Sequence, residues 1–461
     1  MAVSVSRKIA FDVLQRVEAE GAYASDVLHA ELDVGPAAAK LKPQDAALAT
    51  ELTMGVLRWR RLLDFLIDPY TKKPVERLDL PVAIALRMGA YQLRLLEKIP
   101  ASAAVNESVE LVKRARKSSA APLVNAVLRR IAADAKTPAD KFLLPGTSAA
   151  ERLAILHSHP VWMVNRWLAR FGERQTIQLL EANNRAPRLS LSFHAPEQRD
   201  ETIRALEKFG LRIEPGTLLK SAFAVSGGSP ARTQAFRAGQ ISIQDEASQA
   251  IPLLLGVRAG DRVLDLCAAP GGKTAMLGRA AGNGGEVVAA DLHAHRLRAM
   301  AVQLKRLGLQ NVQLIQLDAT HALPFREAFD KILVDAPCSG TGTLARHPEI
   351  RWRLGPEQLD LSREQQKRML ANALERLAPG GRLVYSTCSM EPEENEDVIM
   401  HFVNSSSTIR AVGAAEAART LAPHLVPQVE ARELFAADGF FRTAPSAFRT
   451  DGFFAALLEK I

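Results

Sequence analysis

The chain has 461 residues, 47% hydrophobic and 24% charged, an ordinary globular balance that excludes a disordered or collagen-like protein. At this length two or three domains are expected. Its apolar runs are all shorter than the roughly 18 residues of a membrane helix. Charged residues interrupt the first 17 positions, so we also expect no secretory signal. Lysine and arginine number 59 against 51 acidic residues, and this excess of basic residues favours a nucleic-acid partner.

The cysteines are sparse and far apart. They are Cys267, Cys338 and Cys388, with no CxxC spacing between them. An odd, scattered set argues against a disulfide framework and against a zinc cluster. We therefore expect a cytoplasmic protein without a bound metal.

Residues 1–145 are predicted to be all-helical. Apolar residues recur at helical spacing, as at Ile9, Val13, Leu14 and Val17, and prolines mark helix starts or ends. The segment holds 22 basic and 17 acidic residues by count along the sequence. Its basic clusters are either solvated helix faces or contacts to RNA.

Two shorter regions follow. Residues 146–187 are predicted as a helical linker region, with one helix opening at Pro160 and another near Glu173. In residues 188–242 the pattern changes: 189–193 alternates like a strand, a helix is expected at 199–209, and short strands at 211–213 and 222–225. This predicts a small α+β subdomain.

Residues 243–461 alternate short buried strands with helices. The expected strands are 263–267, 286–290, 312–316, 332–335 and 383–387, and the expected helices are 274–281, 293–307 and 357–377. Strands separated by helices predict an α/β domain with a parallel, doubly wound sheet.

The loop after the first of these strands is rich in small residues. Residues 265–274 read DLCAAPGGKT. A phosphate-binding loop requires glycine at the position of Cys267, and the dinucleotide fingerprint GxGxxG is absent. A tight loop at the carboxyl end of a strand still favours close approach of a ligand. The pattern therefore predicts a nucleoside cofactor with little phosphate.

Carboxylates end the next strands. Asp291 ends the second, where an acid receives ribose hydroxyls in such folds. Asp318 follows the third, where a carboxylate can accept from an exocyclic amine. The alternative is that each aspartate only caps the following helix.

Two cysteine motifs follow the last two predicted strands. DAPCSGTG at residues 335–342 contains Cys338, and YSTCS at 385–389 contains Cys388. Both cysteines lie in Pro/Ser/Gly/Thr turns rather than in apolar runs, which favours a functional site. Cys267 is more typical of a small buried hydrophobe.

These motifs resemble the RNA cytosine-5 methyltransferases, in particular the bacterial 16S rRNA methyltransferase B family (RsmB, also called Sun or Fmu). The loop at 267–274, both cysteine motifs, QDEAS at 244–248 and DGFF at 451–454 carry the resemblance. Residues 105–109 (VNESV) and 124–129 (VNAVLR) resemble the helical NusB antitermination domain. The resemblance is weakest in residues 405–435.

The resemblance implies a Rossmann-like methyltransferase domain at 243–461, a NusB-like domain at 1–145 and an RNA-binding-like subdomain at 188–242. It implies S-adenosylmethionine as cofactor, 16S ribosomal RNA of the small subunit as partner and a monomeric enzyme. Cys388 would attack carbon 6 of cytosine, Cys338 would assist release, and Asp335 would donate near N3. The residues expected to bind the cofactor are Cys267, Ala268, Ala269, Pro270, Gly271, Gly272, Lys273, Asp291, Arg296, Asp318 and Asp335.

Alternatives stay open at this point. The first alternative is a cytosine-5 methyltransferase acting on tRNA or another rRNA site, although the NusB-like domain favours the small subunit. The second, less expected, is a non-catalytic NusB-like RNA-binding or antitermination factor. DNA enzymes place the attacking thiol in the Pro-Cys motif, which here is Cys338. For RNA contacts, the candidates are Arg346, His347, Arg351 and Arg353, with Trp352 either stacking a base or anchoring a core.

Overall fold

The computed structural model describes residues 3–34 and 41–461, with no side-chain detail for residues 33 and 34. The chain divides into two compact units. The helical unit comprises Met1–Ala186 together with Leu344–Arg353, and the α/β unit comprises Pro187–Thr343 and Leu354–Ile461.

The described residues up to Ala186 consist of helices joined by loops, as their apolar spacing predicts. Proline stands at the first or second position of α3, α5 and α7, where its missing N–H costs no helical hydrogen bond. Gly172 interrupts α9 with a φ of +74°, so that helix is two segments joined by a kink. The helices are α1 (Val5–Glu20), α2 (Ala24–His29), α3 (Pro43–Arg58), α4 (Arg60–Ile67), α5 (Leu80–Leu95), α6 (Ala101–Arg114), α7 (Ala121–Ala133), α8 (Ala149–Leu156) and α9 (Val161–Asn184).

The core of the helical unit is aliphatic, with buried ion pairs at its edge. Leu14, Leu52 and Ile84 are at most 1% exposed. Arg87 donates from Nε to Asp64 at 2.7 Å, and both side chains are almost buried. Burial of this apolar face supplies most of the stability of such a bundle.

The α/β unit begins with a small antiparallel sheet of order β2-β3-β1-β4. The predicted strands and the helix are confirmed, and β4 is an addition that the sequence pattern did not indicate. Leu191, Leu206 and Ile241 are buried between this sheet and its helices. The elements are β1 (Leu189–Phe193), α10 (Arg199–Lys208), β2 (Arg212–Pro215), β3 (Ala222–Ser226), α11 (Gln234–Arg237) and β4 (Ile241–Ile243).

The remaining elements build one large sheet. They are α12 (Glu246–Leu255), β5 (Arg262–Leu266), α13 (Gly272–Ala281), β6 (Glu286–Asp291), α14 (Ala294–Arg306), β7 (Val312–Gln316), β8 (Phe329–Asp335), α15 (Ile350–Arg353), α16 (Glu357–Glu375), β9 (Leu377–Thr387), α17 (Glu396–Ser405), β10 (Ile409–Ala411), α18 (Ala414–Leu421), β11 (Phe441–Arg442), α19 (Pro445–Phe448) and β12 (Phe454–Lys460). Of these, α15 lies in the segment that belongs to the helical unit.

The large sheet is mixed, which corrects the prediction of a purely parallel one. Strands β7-β6-β5-β8-β9 are parallel, whereas β12 pairs antiparallel with β9, and β10 and β11 pair antiparallel with β12. The order of strands along a sheet depends on long-range pairing, which local periodicity does not encode. The chain reverses its direction of travel between the adjacent strands β5 and β8. In open α/β sheets ligands bind at such a reversal, beyond the carboxyl ends of the strands.

Both faces of the large sheet are covered by apolar side chains. On one face Leu264, Ile332 and Leu370 are buried, and on the other Val263, Leu333 and Leu254. A sheet buried on both faces explains why its central strands are almost continuously apolar. Within the described residues, every helix is too short or too polar to cross a membrane.

Candidate active site

The predicted site residues meet at one edge of the large sheet. Asp291 and Asp335 are the last residues of β6 and β8, while Cys267, Asp318 and Cys388 follow β5, β7 and β9 by one or two positions. These five strands are parallel, so all five residues lie at the same carboxyl edge. This is the arrangement that the alternating strand and helix pattern predicts.

The loop between β5 and α13 is shaped by its backbone. Cys267 has a φ of +62° and Gly271 a φ of +99°, and the Ala269–Pro270 peptide is cis. A Cβ at Gly271 would stand 2.8 Å from Cγ of Met300, so only glycine fits. The loop therefore turns tightly and exposes the first N–H groups of α13 at the sheet edge.

Asp291 holds this loop in place. Its Oδ2 accepts from the N–H of Ala269 at 3.2 Å, and its Oδ1 accepts from the N–H of His293 at 3.0 Å. Arg296 pairs with Oδ2 at 3.2 Å and donates to the carbonyl of Ala269 at 2.6 Å. The alternative that Asp291 only caps the following helix thus explains its contact with His293, but not its contacts with Ala269 and Arg296.

Asp318 lies at the end of the neighbouring strand. Hydrogen bonds from the hydroxyl and the N–H of Thr320 lower the pKa of this carboxyl, and His321 approaches it at 3.2 Å. Its side chain is 37% exposed, so it remains accessible to a ligand.

A cavity of about 190 Å³ opens along this edge. It joins the loop after β5 to the ends of β6 and β7 and to the start of the loop after β8. Its lining includes Cys267, Asp291, Leu292, Arg296, Asp318 and Met369. Apolar walls with a few convergent polar groups are typical of a cofactor site.

The surroundings of Asp265 show whether this edge of the sheet fits a cofactor with a positive charge. Burial raises the pKa of this carboxyl to about 7, although Thr274 donates to its Oδ2 at 2.6 Å. No donor among the described residues reaches its buried Oδ1. A buried carboxylate oxygen without a partner, on the strand that leads into this tight loop, suits a ligand that brings a positive group.

Asp335 is fixed by two neighbours. Lys273 donates from Nζ to Oδ2 at 2.7 Å, and Ser386 donates to Oδ1 at 2.7 Å. The ammonium of Lys273 also lies 5.1 Å from the ring centre of Phe453, in the DGFF motif. The lysine of the cofactor loop thus contacts the carboxylate of the first cysteine motif.

The two motif cysteines are neighbours. Their Sγ atoms are 3.3 Å apart, and both side chains are partly exposed. The hydrogen bond with Cys388, together with burial, raises the pKa of the Cys338 thiol well above its usual range. A protonated Cys338 is then a donor toward the sulfur of Cys388. Burial also raises the pKa of Cys267, which lines the cavity at the sheet edge.

Other residues of the site were missed from the sequence. Glu394 and Asn395 are buried behind the two cysteine loops and hydrogen-bond to both of them. Gln366 on α16 donates to the carbonyl of Pro337 at 2.9 Å. The signal for the first two was the polar run directly after the YSTCS motif, since polar residues following a central strand tend to face the site.

The QDEAS motif has a structural role. Asp245 caps α12 by accepting from Ala247 at 2.9 Å and also accepts from the N–H of Asp451 at 3.1 Å. Glu246 accepts from the backbone N–H groups of residues 217–219. This motif therefore ties the start of the domain to its DGFF end.

The RNA role expected for part of the segment 346–353 is wrong for Arg351. Its side chain is fully buried in the helical unit and donates to three backbone carbonyls and the Asn184 amide oxygen. The indole N–H of Trp352 donates to the carbonyl of Leu57 at 2.6 Å, so this tryptophan is the anchor of the second alternative. Arg353 donates to the carbonyls of Val17, Gly21 and Ala22. The run of basic residues suggested an exposed patch. The carbonyls that these side chains bind are mostly distant in sequence, so the pattern of the segment gave no sign of them.

Comparison with known families identifies the parts of the chain. Residues 252–459 match the family described as "16S rRNA methyltransferase RsmB/F". Residues 4–133 match the NusB family, and residues 159–232 match a ferredoxin-like domain of RsmF/B-like methyltransferases. The fold class expected from the sequence is confirmed, with the correction that the large sheet is mixed rather than purely parallel.

Individual relatives agree over nearly the whole length. The protein named "Probable ribosomal RNA small subunit methyltransferase B" from Bacillus subtilis (strain 168) is 33% identical over 98% of both chains. A methyltransferase homolog from Pyrococcus horikoshii is 30% identical, covers 69% of this chain and all of its own, and has a TM-score of 0.57. The structure of PH0851 covers all of both chains with a TM-score of 0.80 at 24% identity, which supports the fold.

The fold and the site define a methyltransferase that uses S-adenosylmethionine. More narrowly, the chain belongs to the RsmB/F family of 16S rRNA methyltransferases. The alternative of a non-catalytic RNA-binding factor is thereby set aside.

Proposed function

We propose that the protein methylates carbon 5 of a cytosine in 16S ribosomal RNA, through a covalent bond between Cys388 and carbon 6. The observation that carries this is the pair of sulfur atoms 3.3 Å apart, beside Asp335 and at the same sheet edge as the cofactor cavity. The full-length relative is named for the small-subunit RNA, and this supports the choice of substrate. The reaction belongs in the cytoplasm, where such RNA is made.

The cofactor would occupy the cavity along β5, β6 and β7. Asp291 and Asp318 both line this cavity. In our proposal Asp291 accepts from the ribose hydroxyls and Asp318 from an exocyclic amine. The unpartnered Oδ1 of Asp265 suits a ligand ammonium. When bound, S-adenosylmethionine supplies an electrophilic methyl group on a sulfonium.

A thiol nucleophile is needed because carbon 5 of cytosine is a weak nucleophile. Addition of the Cys388 thiolate to carbon 6 makes an enamine-like ring whose carbon 5 attacks an electrophile. The ring gains a proton near N3 as charge develops there. Asp335 is placed to pass on this proton, and the ammonium of Lys273, 2.7 Å away, is its proton source.

Release reverses the addition. A base removes the proton from carbon 5, the bond between carbon 6 and sulfur breaks, and the sulfur leaves as a thiolate. The proton gained at N3 returns to the Asp335–Lys273 pair, which leaves a neutral methylated base. Cys338 stands next to that sulfur, and the raised pKa of its thiol keeps it a proton donor there. This neighbour stabilises the leaving thiolate and supports the assignment of Cys388 as the nucleophile.

The two thiols are separated by a trapping experiment. Cys388→Ala should abolish both turnover and any covalent RNA adduct. Cys338→Ala should still allow attack and methyl transfer, so a denaturation-resistant protein–RNA band accumulates that carries labelled methyl. The double variant is the control and should give no band.

Two outcomes would contradict the assignment. A band that appears with Cys388→Ala instead would place the nucleophile at Cys338, as in DNA enzymes. Full activity in both single variants would exclude covalent catalysis by these cysteines. The substrate is tested separately by mapping methylated cytosines in 16S RNA, other ribosomal RNA and tRNA from a strain lacking the protein.

A further inference from the structure

A buried carboxylate holds the loop that carries Cys338. Glu394 is 0% exposed, and its Oε1 accepts from the N–H of Ser339 at 2.7 Å and from the amide of Gln366 at 3.3 Å. Its Oε2 accepts from the hydroxyl of Ser339. Ser339 directly follows Cys338, so this carboxylate fixes both the backbone and the side chain next to that thiol.

The next residue in the chain holds the loop that carries Cys388. Asn395 is 3% exposed, and its Oδ1 accepts from the hydroxyl of Thr387 at 2.5 Å. Its Nδ2 donates to the carbonyl of Ser389 at 2.9 Å. Thr387 and Ser389 flank Cys388, so this amide holds the backbone on both sides of the second thiol.

The hydrogen bonds of Glu394 and those of Asn395 belong to one connected network. Ser339 and Ser389 are linked through their hydroxyl oxygens at 3.1 Å. Tyr385 on β9, fully buried, donates to the backbone carbonyl of Glu394 at 2.7 Å. The adjacent residues Glu394 and Asn395 therefore have little freedom to move relative to the strand that precedes Cys388.

We propose that Glu394 and Asn395 are positioning residues that set the distance between the two thiols. Neither side chain contacts a sulfur atom in the hydrogen bonds described, and each acts through the residues beside a cysteine. The proposal deepens the covalent mechanism and rests on it for its catalytic consequence. Attack on carbon 6 needs one thiol, whereas release needs both, so release is the step that depends on this spacing.

The spacing can be measured without RNA or cofactor. Oxidised glutathione converts the two thiols into a disulfide and is itself reduced to two glutathione molecules, so electrons and protons balance. The equilibrium constant reports how often the sulfur atoms meet in bonding geometry. Mass spectrometry of the folded, full-length protein identifies the Cys338–Cys388 linkage and its fraction at each glutathione ratio.

We expect Glu394→Gln and Asn395→Asp to lower this equilibrium constant by about tenfold. The glutamine cannot accept on both terminal atoms, and the aspartate places an oxygen against the carbonyl of Ser389. Asp397→Asn is the matched control, because Asp397 is an exposed acid in the first turn of α17, directly after Glu394 and Asn395, and it should leave the constant unchanged. Ser339→Ala, a smaller change, removes two contacts of the network and should lower the constant less.

A second measurement links the spacing to the reaction. In single turnover with labelled S-adenosylmethionine and 16S RNA, Glu394→Gln should accumulate the covalent adduct, as Cys338→Ala does, while its affinity for the cofactor stays the same. A merely structural role would lower folding and cofactor affinity together without an adduct.

The outcomes are distinguishable. An unchanged glutathione equilibrium in Glu394→Gln and Asn395→Asp overturns the proposal, whatever their activity. If Glu394→Gln fails to fold by circular dichroism, Ser339→Ala decides in the same way. If the equilibrium falls as expected but Cys338→Ala traps no RNA, the positioning stands and the covalent mechanism fails.

Discussion

Replacing Arg351 by methionine should destabilise the helical unit by about 1–3 kcal/mol, the cost of leaving buried acceptors without a donor. The guanidinium is completely buried, and its two terminal nitrogens each make two hydrogen bonds at 2.9–3.3 Å. All four acceptors are neutral oxygens, and burial lowers the pKa of this arginine well below its usual value.

The magnitude follows from two opposing effects. Hydrogen bonds to a charged group contribute about 1.5–3 kcal/mol each, and burying a guanidinium without a carboxylate partner costs several kcal/mol. Methionine keeps most of the aliphatic stem packed but leaves buried carbonyls of residues 158, 183 and 344 without this donor. The cost of leaving these carbonyls unpaired exceeds the gain from no longer burying a guanidinium, so the variant has a lower free energy of unfolding.

Tryptophan fluorescence during urea unfolding measures this effect selectively. The four tryptophans, at positions 59, 162, 167 and 352, all belong to the helical unit. Arg353→Met is the matched control, because Arg353 also donates to three carbonyls but is exposed, and it should cost about 1 kcal/mol or less.

Equal or smaller destabilisation by Arg351→Met than by Arg353→Met would refute this reasoning. If Arg351 instead contacted RNA phosphate, the variant would keep its stability and lose about one unit from the salt dependence of RNA binding.

Three further predictions concern the cofactor side. Gly271→Ala should weaken binding of S-adenosylmethionine and destabilise the fold by more than Gly260→Ala, as measured by calorimetry and thermal unfolding; both glycines have positive φ, but only at Gly271 would a Cβ collide, with Met300. The free energy of unfolding of Asp265→Asn, relative to that of the wild type, should rise as the pH increases from about 4 to 7, because only the wild type loses stability over this range. The raised pKa of Asp265, about 7, favours its protonated form in the folded state, so its contribution is present below pH 3.8 and lost through pH 7, a difference of about 4 kcal/mol. A flat difference in thermal midpoint across that range would contradict this. Asp291→Ala should weaken cofactor affinity about 100-fold, and unchanged calorimetric affinity would remove Asp291 from the site.

The strands of the central sheet were predictable because each is a short apolar run bounded by turn residues. The strand predicted at 312–316 is observed as Val312–Gln316, and the strand at 286–290 extends by one residue to Asp291. A chain that alternates such strands with helices must place their carboxyl ends along one edge. This is why the cofactor loop and the strand-end aspartates were found from sequence.

What the sequence did not show depends on contacts between distant positions. Strand β12 is an apolar run at the end of the domain, and nothing in its own sequence shows that it pairs antiparallel with β9. Arg351 looked exposed because its charge is visible in the sequence, whereas its acceptors lie 167 or more residues away apart from the nearby carbonyl of Leu344. Glu394 is one of several acids in the run that follows YSTCS, and its hydrogen bonds to the distant Ser339 distinguish it from the others.

The contact between the two thiols is a consequence of strand order. β8 and β9 are adjacent and parallel, and Asp335 stands opposite Ser386 in their register. Neighbouring strands are about 4.8 Å apart. Cys338 follows β8 by three positions and Cys388 follows β9 by one, so the two side chains are brought within reach of each other. A slip of one residue between these strands would turn Ser386 to the other face and remove its hydrogen bond to Asp335. The register that forms this bond therefore also fixes where the loops that carry Cys338 and Cys388 begin. Beyond those starting points, Glu394 and Asn395 hold the conformation of the two loops by hydrogen bonds.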